Sequence, residues 1–293
     1  MLFGLGEGLG FIFWKMKTMD FPFIGGRVKP DILTANIARN LQLKLIAKET
    51  SSQQKAWENV KQLLDIGKIV GLKLDCYYLE YFSNPIHFAG HYVALYGYDN
   101  THAFLIDTKQ QGGMVKSSLK NMALARAAKG PMSSNNLYYT MHQMDKPFYL
   151  NQAILTAIKN NTNDYLNPPI TNIGYKGILK TSEEIKKWFG STQNIDSDFR
   201  TTAMLMERAG TGGALFRNLY RDFLKESYEL LGLDSLKKAY QAFIEIAKLW
   251  TMISELFVQV AKTKDYQYIQ QASAILKQLS QMEHQTMQML HAI

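Results

Sequence analysis

The stretch His87-Phe88-Ala89-Gly90-His91-Tyr92-Val93-Ala94-Leu95-Tyr96-Gly97-Tyr98-Asp99, closely followed by Phe104-Leu105-Ile106-Asp107-Thr108, decides how the first half of this chain folds. Both segments are rich in apolar and aromatic residues, and Asp99-Asn100-Thr101 between them has turn chemistry. They predict two strands, 91–98 and 102–107, joined as a hairpin. Two histidines flank a glycine at the mouth of the first strand, and an acid ends the second. The consequence depends on the turn. With a three-residue loop at 99–101, Val93 faces Asp107 and His91 lies one diagonal step away on the same face, about 7–8 Å off, within reach of the two side chains. A two-residue loop puts them on opposite faces. In the first case Asp107 can hold the His91 imidazole in the tautomer of a general base. The second ends that argument, and with either loop the bland alternative is an ordinary hairpin with one capped and one exposed histidine.

Working outward, Ile69 to Asp75 reads as a buried strand and 52–65 as a helix, with Trp57, Val60, Leu63 and Leu64 at three-to-four spacing and Gly67 as its stop. Residues 31–42 predict a helix, 43–48 a strand, 116–128 a helix and 136–141 a strand that closes the sheet. Near residue 150 the pattern becomes almost wholly helical. The polar run Asn160-Asn161-Thr162-Asn163-Asp164 and Pro168-Pro169 read as a connector, and Ser182-Glu183-Glu184 as a helix start with acids where the dipole favours them. Helices follow at 198–208, 214–231, 235–262 and 266–291. The last two pair as an antiparallel hairpin, with Trp250, Phe257, Met282, Met287 and Met289 as core. The expected architecture is α+β, with an antiparallel-sheet domain over 1–145 and an all-α domain over 146–293.

Composition narrows the function classes. Of 293 residues 46% are hydrophobic, enough for a sizeable core. No apolar run approaches the roughly 18–20 residues that cross a bilayer, and the start has no basic segment of a signal peptide. The single cysteine, Cys76, excludes an intrachain disulfide and a cysteine-rich zinc site, and fits a reducing compartment such as the cytoplasm. The net charge of +8 suits nucleic acid, an acidic carrier protein or simple solubility. Without a dense Lys/Arg cluster interleaved with aromatics, neither nucleic acid nor membrane is an expected partner. No cofactor and no metal are expected: His87 and His91, four apart on an extended segment, do not share a ligand face.

Three other segments invite chemistry. Glycines at 4, 6, 8 and 10 suggest either a phosphate cradle or a tight buried loop; they follow no strand and no Lys-Ser/Thr closes the run, which favours the loop. Cys76, in Asp75-Cys76-Tyr77-Tyr78-Leu79-Glu80-Tyr81, sits where a strand ends among aromatics, with no helix start or histidine implied, so it reads as a half-buried inert thiol. Gly210-Thr211-Gly212-Gly213 opens a helix whose free N–H groups can hold an anion, or joins two helices with Thr211 as cap. Arg217 and Arg221 share a face of that helix, free for an acidic partner or for local acids.

Taken together, Leu2-Phe3-Gly4-Leu5-Gly6-Glu7-Gly8-Leu9-Gly10-Phe11, Gly25-Gly26-Arg27, the Asp75–Tyr81 stretch, and His87-Phe88-Ala89-Gly90-His91 followed by Gly97-Tyr98-Asp99 resemble the amino-terminal domain of the butirosin-biosynthesis H protein family. Gly210-Thr211-Gly212-Gly213 with Phe216-Arg217 and Tyr220 is similar to the uncharacterised helical domain that commonly follows it. The resemblance implies a papain-like fold of the kind found in bacteriocin-leader peptidases, and acyl transfer from a carrier thioester to an amine. It makes His91 and Asp107 the catalytic histidine and acid. His87, Gly90, Gly210, Thr211, Gly212, Gly213 and Arg217 become candidates for holding the substrate. It implies an acyl carrier protein and a peptide or small-molecule amine as partners, and the carboxy-terminal helices offer a homodimer surface.

The resemblance also leaves the thiol without a counterpart. In relatives a cysteine lies ahead of the Leu-Phe-Gly-Leu-Gly-Glu-Gly motif, inside which this sequence begins. The expectation is a start that falls too late, because loss of the first helix would bare an apolar face of the sheet. The other reading is a non-catalytic binding or assembly module on a degenerate peptidase fold.

Overall fold

The computed structural model describes residues 1–16, 19, 21–83, 85–130, 132–145, 147–208 and 212–293. In chain order its elements are α1 (Leu2–Leu5), β1 (Leu9–Trp14), β2 (Phe23–Arg27), α2 (Pro30–Asn40), β3 (Leu43–Lys48), α3 (Gln53–Asp65), β4 (Val70–Leu74), β5 (His91–Tyr98), β6 (His102–Ile106), β7 (Met114–Ser118), α4 (Leu119–Ala127) and β8 (Tyr138–Gln143). Six long helices follow: α5 (Leu150–Leu166), α6 (Gly174–Ser191), α7 (Ile195–Arg208), α8 (Ala214–Leu231), α9 (Asp234–Thr263) and α10 (Tyr266–His291). The class is α+β. Two compact units divide the chain: Gln42–Lys146, and Met1–Leu41 together with Pro147–Ile293.

In the first unit a six-stranded sheet has the order β3-β8-β4-β5-β6-β7, with every neighbouring pair antiparallel. β4 is central and buried along its whole length. Val70, Leu72 and Leu74 face Val93, Leu95, Leu105, Met122 and Val60 in a single apolar core. Ser52 caps α3 by accepting from the Lys55 N–H, and Ser118 caps α4 by accepting from the Asn121 N–H. The predicted strand that closes the sheet is β8, and it inserts between β3 and β4.

The hairpin turn differs from the favourable case. Asp99 N–H donates to the His102 carbonyl at 2.9 Å, so the turn is the two-residue Asn100-Thr101. Tyr98 pairs with Ala103 and Gly97 with Phe104, a register that alone would send His91 and Asp107 to opposite faces. A β-bulge restores them. Between Gly97↔Phe104 and Leu95↔Leu105 the first strand carries one extra residue, Tyr96. Beyond it Ala94 faces Ile106, and the same register sets Val93 opposite Asp107.

The second unit holds the helices and, unexpectedly, the first 41 residues. The sequence reading assigned 1–145 to one domain; instead the β1–β2 hairpin packs into the helical core. Phe11, 2% exposed, lies 5.6 Å from the Trp250 ring, and the Asn161 side chain donates to the Leu9 carbonyl at 2.8 Å. The glycine-rich start forms a tight buried segment: a Cβ at Gly4 would fall 2.0 Å from the Phe223 ring. Glu7, buried and at φ 55°, accepts from Arg39 (2.6 Å), Asn40 (3.0 Å) and Asn160 (3.0 Å).

Those contacts correct two expectations. The polar run 160–164 is no connector but the last turns of α5, helical because its amides satisfy the buried start of the chain. Ser182 does not open a helix; it lies inside α6, buried, with its hydroxyl donating to the Leu179 carbonyl. α9 and α10 match their predicted spans to within a residue and pack along each other, with Trp250, Phe257 and Met287 fully buried and Met282 and Met289 partly so.

At the centre of this core Arg217, fully buried, forms two 2.9 Å bonds to the buried Glu283 carboxylate. Trp250 Nε1 donates to Glu283 at 2.7 Å, and the Tyr165 hydroxyl donates to it as well. Removing one partner of such a pair leaves an uncompensated interior charge. Glu283→Gln should therefore lower unfolding free energy by about 3–5 kcal/mol, read as a drop in urea midpoint, whereas a substitution of the exposed Glu245 should have little effect.

Candidate functional site

Leu74 sits opposite His91, so the end of β4, the start of β5 and the end of β6 lie side by side. There His91 Nε2 meets Asp107 Oδ2 at 2.7 Å. The Asp107 side chain is fully enclosed, and that of His91 is 17% exposed. The same Oδ2 accepts from the Tyr81 hydroxyl at 2.7 Å, while Oδ1 accepts the Thr108 N–H at 2.6 Å. The Phe82 ring stands edge-on to the imidazole at 5.4 Å. A carboxylate at Nε2 selects the tautomer with its proton there, which leaves the Nδ1 lone pair as the basic position.

The electrostatics favour that arrangement. Burial works to raise the Asp107 pKa, but the hydrogen bond and charge of His91 and the Tyr81 hydroxyl outweigh it and hold the carboxyl below its ordinary range. Tyr81 moves oppositely: burial, then the adjacent carboxylate, keep its phenol protonated far above the usual value. The turn bearing Tyr81 is anchored by Glu80, which accepts from Ser117 and from the Ser118 N–H and hydroxyl. Burial opposes the ionisation of Glu80, yet these donors keep its carboxyl below the normal range. Tyr81 and Phe82 were not among the predicted site residues. The aromatic turn was visible in the sequence, but nothing local says which ring folds back on Asp107.

His87 has a separate acid. Its Nδ1 lies 3.0 Å from Asp75 Oδ2, and its ring stacks on Tyr77 at 3.9 Å, with 63% of the side chain exposed. Asp75 also accepts the Tyr77 and Phe88 N–H groups. Gly90 is buried, and a Cβ there would meet Met132 Cε at 2.8 Å. Cys76 opens a three-residue 3₁₀ turn, is buried, and lies 3.3 Å from the Ile86 carbonyl as a donor. Burial, then Asp75, push its thiol up to about 11, with Asp107 adding to the effect. That is the reverse of what a nucleophilic cysteine needs. Among the described residues no three His, Cys, Asp or Glu side chains are grouped to hold a metal ion, and no helix is long and apolar enough to cross a membrane.

Comparison with family models matches residues 1–108 to the amino-terminal domain of butirosin biosynthesis protein H, and 120–290 to a domain of unknown function (DUF4872). The chain belongs to the family defined by that domain of unknown function, whose model covers more than half of it, and its first 108 residues match the amino-terminal domain of butirosin biosynthesis protein H. A search of curated proteins gave no match. The amino-terminal match supports a biosynthesis-related, enzyme-like role. The first match ends one residue beyond Asp107 and so contains the whole His91–Asp107 pair with Tyr81.

The second match contains the remaining candidates. Gly210 and Thr211 lie outside the described residues. Gly213 caps α8 at φ 70°, a conformation that favours glycine, and the Ala214 N–H behind it donates to Glu207 Oε1 at 3.2 Å. The anion expected at this helix start is thus the chain's own carboxylate, whose pKa burial raises. A Cβ at Gly212 would fall 2.7 Å from the Ile24 carbonyl, so close packing accounts for that glycine. Arg217, expected to hold a substrate's acid, holds Glu283 in the core instead, and Arg221 pairs with Asp222 and Asn218. Sequence spacing put the two arginines on one face but could not show that Arg217 faces the interior.

The state of the thiol can be checked directly. At pH 8 Cys76 should react with iodoacetamide roughly a hundredfold more slowly than after urea unfolding, as followed by mass spectrometry, because a thiol raised to about 11 carries that much less thiolate. The sign for stability follows: with its pKa raised by folding, Cys76 contributes fully below about pH 9, and the contribution is lost as pH climbs through 11.

Proposed function

We propose that this protein is an acyl-transfer enzyme of secondary or peptide-product metabolism, with His91 as general base and Asp107 as the acid that orients it. The observation that carries the reading is the 2.7 Å contact between His91 Nε2 and an enclosed Asp107 carboxylate that Tyr81 also donates to. In this reading Nδ1 takes the proton of an attacking thiol, and Asp107, held ionised, stabilises the imidazolium that forms. The thiolate adds to the carbonyl of a carrier thioester, the carrier thiol leaves with a proton, and an amine or water then takes the acyl group from the enzyme sulfur. Cys76, buried and with its thiol raised to about 11, is unsuited to be that sulfur, and it is the single cysteine of the 293-residue sequence. A positive net charge of +8 suits an acidic acyl carrier protein as donor. We place the activity in a papain-like class of acyl-transfer chemistry on the same grounds, namely a histidine and an acid on adjacent antiparallel strands.

A second reading rests on the same thiol. The one cysteine near the pair is buried and protonated, which favours a binding or assembly module that retains a ligand beside His87 and His91 without turnover.

Turnover of an acyl-pantetheine thioester by the purified protein separates the two. His91→Ala should reduce turnover at least about a hundredfold, and Asp107→Asn nearly as much, with circular dichroism unchanged. Normal turnover by the His91→Ala protein would remove His91 from the chemistry. No turnover by any form, with saturable ligand binding kept, would leave the binding reading.

A further inference from the structure

The sheet unit carries a second feature, built from none of the residues around His91. Between α3, α4 and the sheet lies a cavity of about 440 Å³, within the range of small-molecule sites. Trp57, Leu72, Leu95 and Met122 make its apolar walls, and Arg126 and Lys120 are its cations. Among the described residues no Asp or Glu lines it.

Arg126 is the anomaly. It is 5% exposed, yet among the described residues its bonds run to neutral carbonyls alone: Nη1 and Nη2 to Ala56 at 3.2 Å, and Nη2 to Asn136 at 3.3 Å. Its Nε is buried with no partner, and no carboxylate pairs with the guanidinium among the described residues. Arg217, fully buried, is by contrast neutralised by a bidentate Glu283. A desolvated cation without a counter-charge is strongly disfavoured, and burial already pulls the Arg126 pKa down to about 10. What this cavity lacks is an anion.

We propose that the cavity binds a small organic carboxylate with an apolar body, its charge held by Arg126 and its body by Trp57, Leu72, Leu95 and Met122. The apolar walls and single deep cation fit one negative charge on a hydrophobic frame better than a dianionic phosphate. Lys120, exposed, adds charge at the outer edge. This site stands apart from the acyl-transfer reading and does not depend on it.

The test titrates the full chain with octanoate by calorimetry, with 1-octanol and octylammonium as neutral and cationic counterparts. Octanoate should bind saturably, one per chain. Octanol should bind roughly ten- to a hundredfold more weakly, the worth of a hydrogen bond to a charged group, and octylammonium should not bind. Arg126→Gln should lose octanoate affinity by the same factor, while Lys120→Gln changes it little. Should Arg126→Gln fold poorly, Ala123→Phe, which fills the cavity and keeps Arg126, should abolish binding on a folded protein. Equal affinity for octanol and octanoate, octanoate binding that survives Arg126→Gln or Ala123→Phe, or no saturable octanoate binding would each overturn the proposal.

Discussion

The pleat of a β-strand gives each side chain one of two faces, and a single inserted residue reverses the choice for everything beyond it. In this protein that residue is Tyr96. The tight Asn100-Thr101 turn sets one parity near the hairpin tip, and the bulge resets it for the strand ends, where His91 and Asp107 meet. The meeting of His91 and Asp107 follows from that reset. Without it Asp107 would leave the face of the sheet on which His91, Val93 and Leu95 stand.

Around the pair, the order of donors sets the charge state. Asp107 receives three hydrogen bonds in an enclosed position and stays ionised against the cost of burial. Cys76 receives little compensation, sits beside Asp75, and stays a thiol. Two side chains of the same neighbourhood are driven to opposite protonation states, one charged and one neutral, by hydrogen bonding in one case and by burial with a like charge in the other. The same logic separates Arg217 from Arg126. Arg217 has an internal carboxylate and belongs to the architecture of the helical core; Arg126 has carbonyls alone and borders a cavity.

The helical unit draws its coherence from polar groups as well as from aromatic packing. Glu283 gathers Arg217, Trp250 and Tyr165, and Glu7 gathers Arg39, Asn40 and Asn160. Through these two carboxylates, residues distant in sequence are required to fold together, since each acid exposed to the interior without its donors would be strongly destabilising. That is why the glycine-rich start belongs with the helices, and why an asparagine-rich run that looks like a linker is helix.

Element type was largely legible in the amino-acid order. Three-to-four and alternating apolar spacing located α3, β4, the hairpin and the last two helices, and turn chemistry marked where the chain reverses, because these signals act within a few residues. The identities of His91 and Asp107 as a pair to watch were legible too, but only up to a choice between two loop lengths, and the turn that formed was the unfavourable one. Tertiary structure decided the rest: the bulge that brings the pair together, the Tyr81 and Phe82 rings that close on it, the inward turn of Arg217 and the partnership of residues 1–41 with the helices. Each depends on which distant group satisfies a buried charge or fills a packed space. Periodicity within one segment carries no record of that.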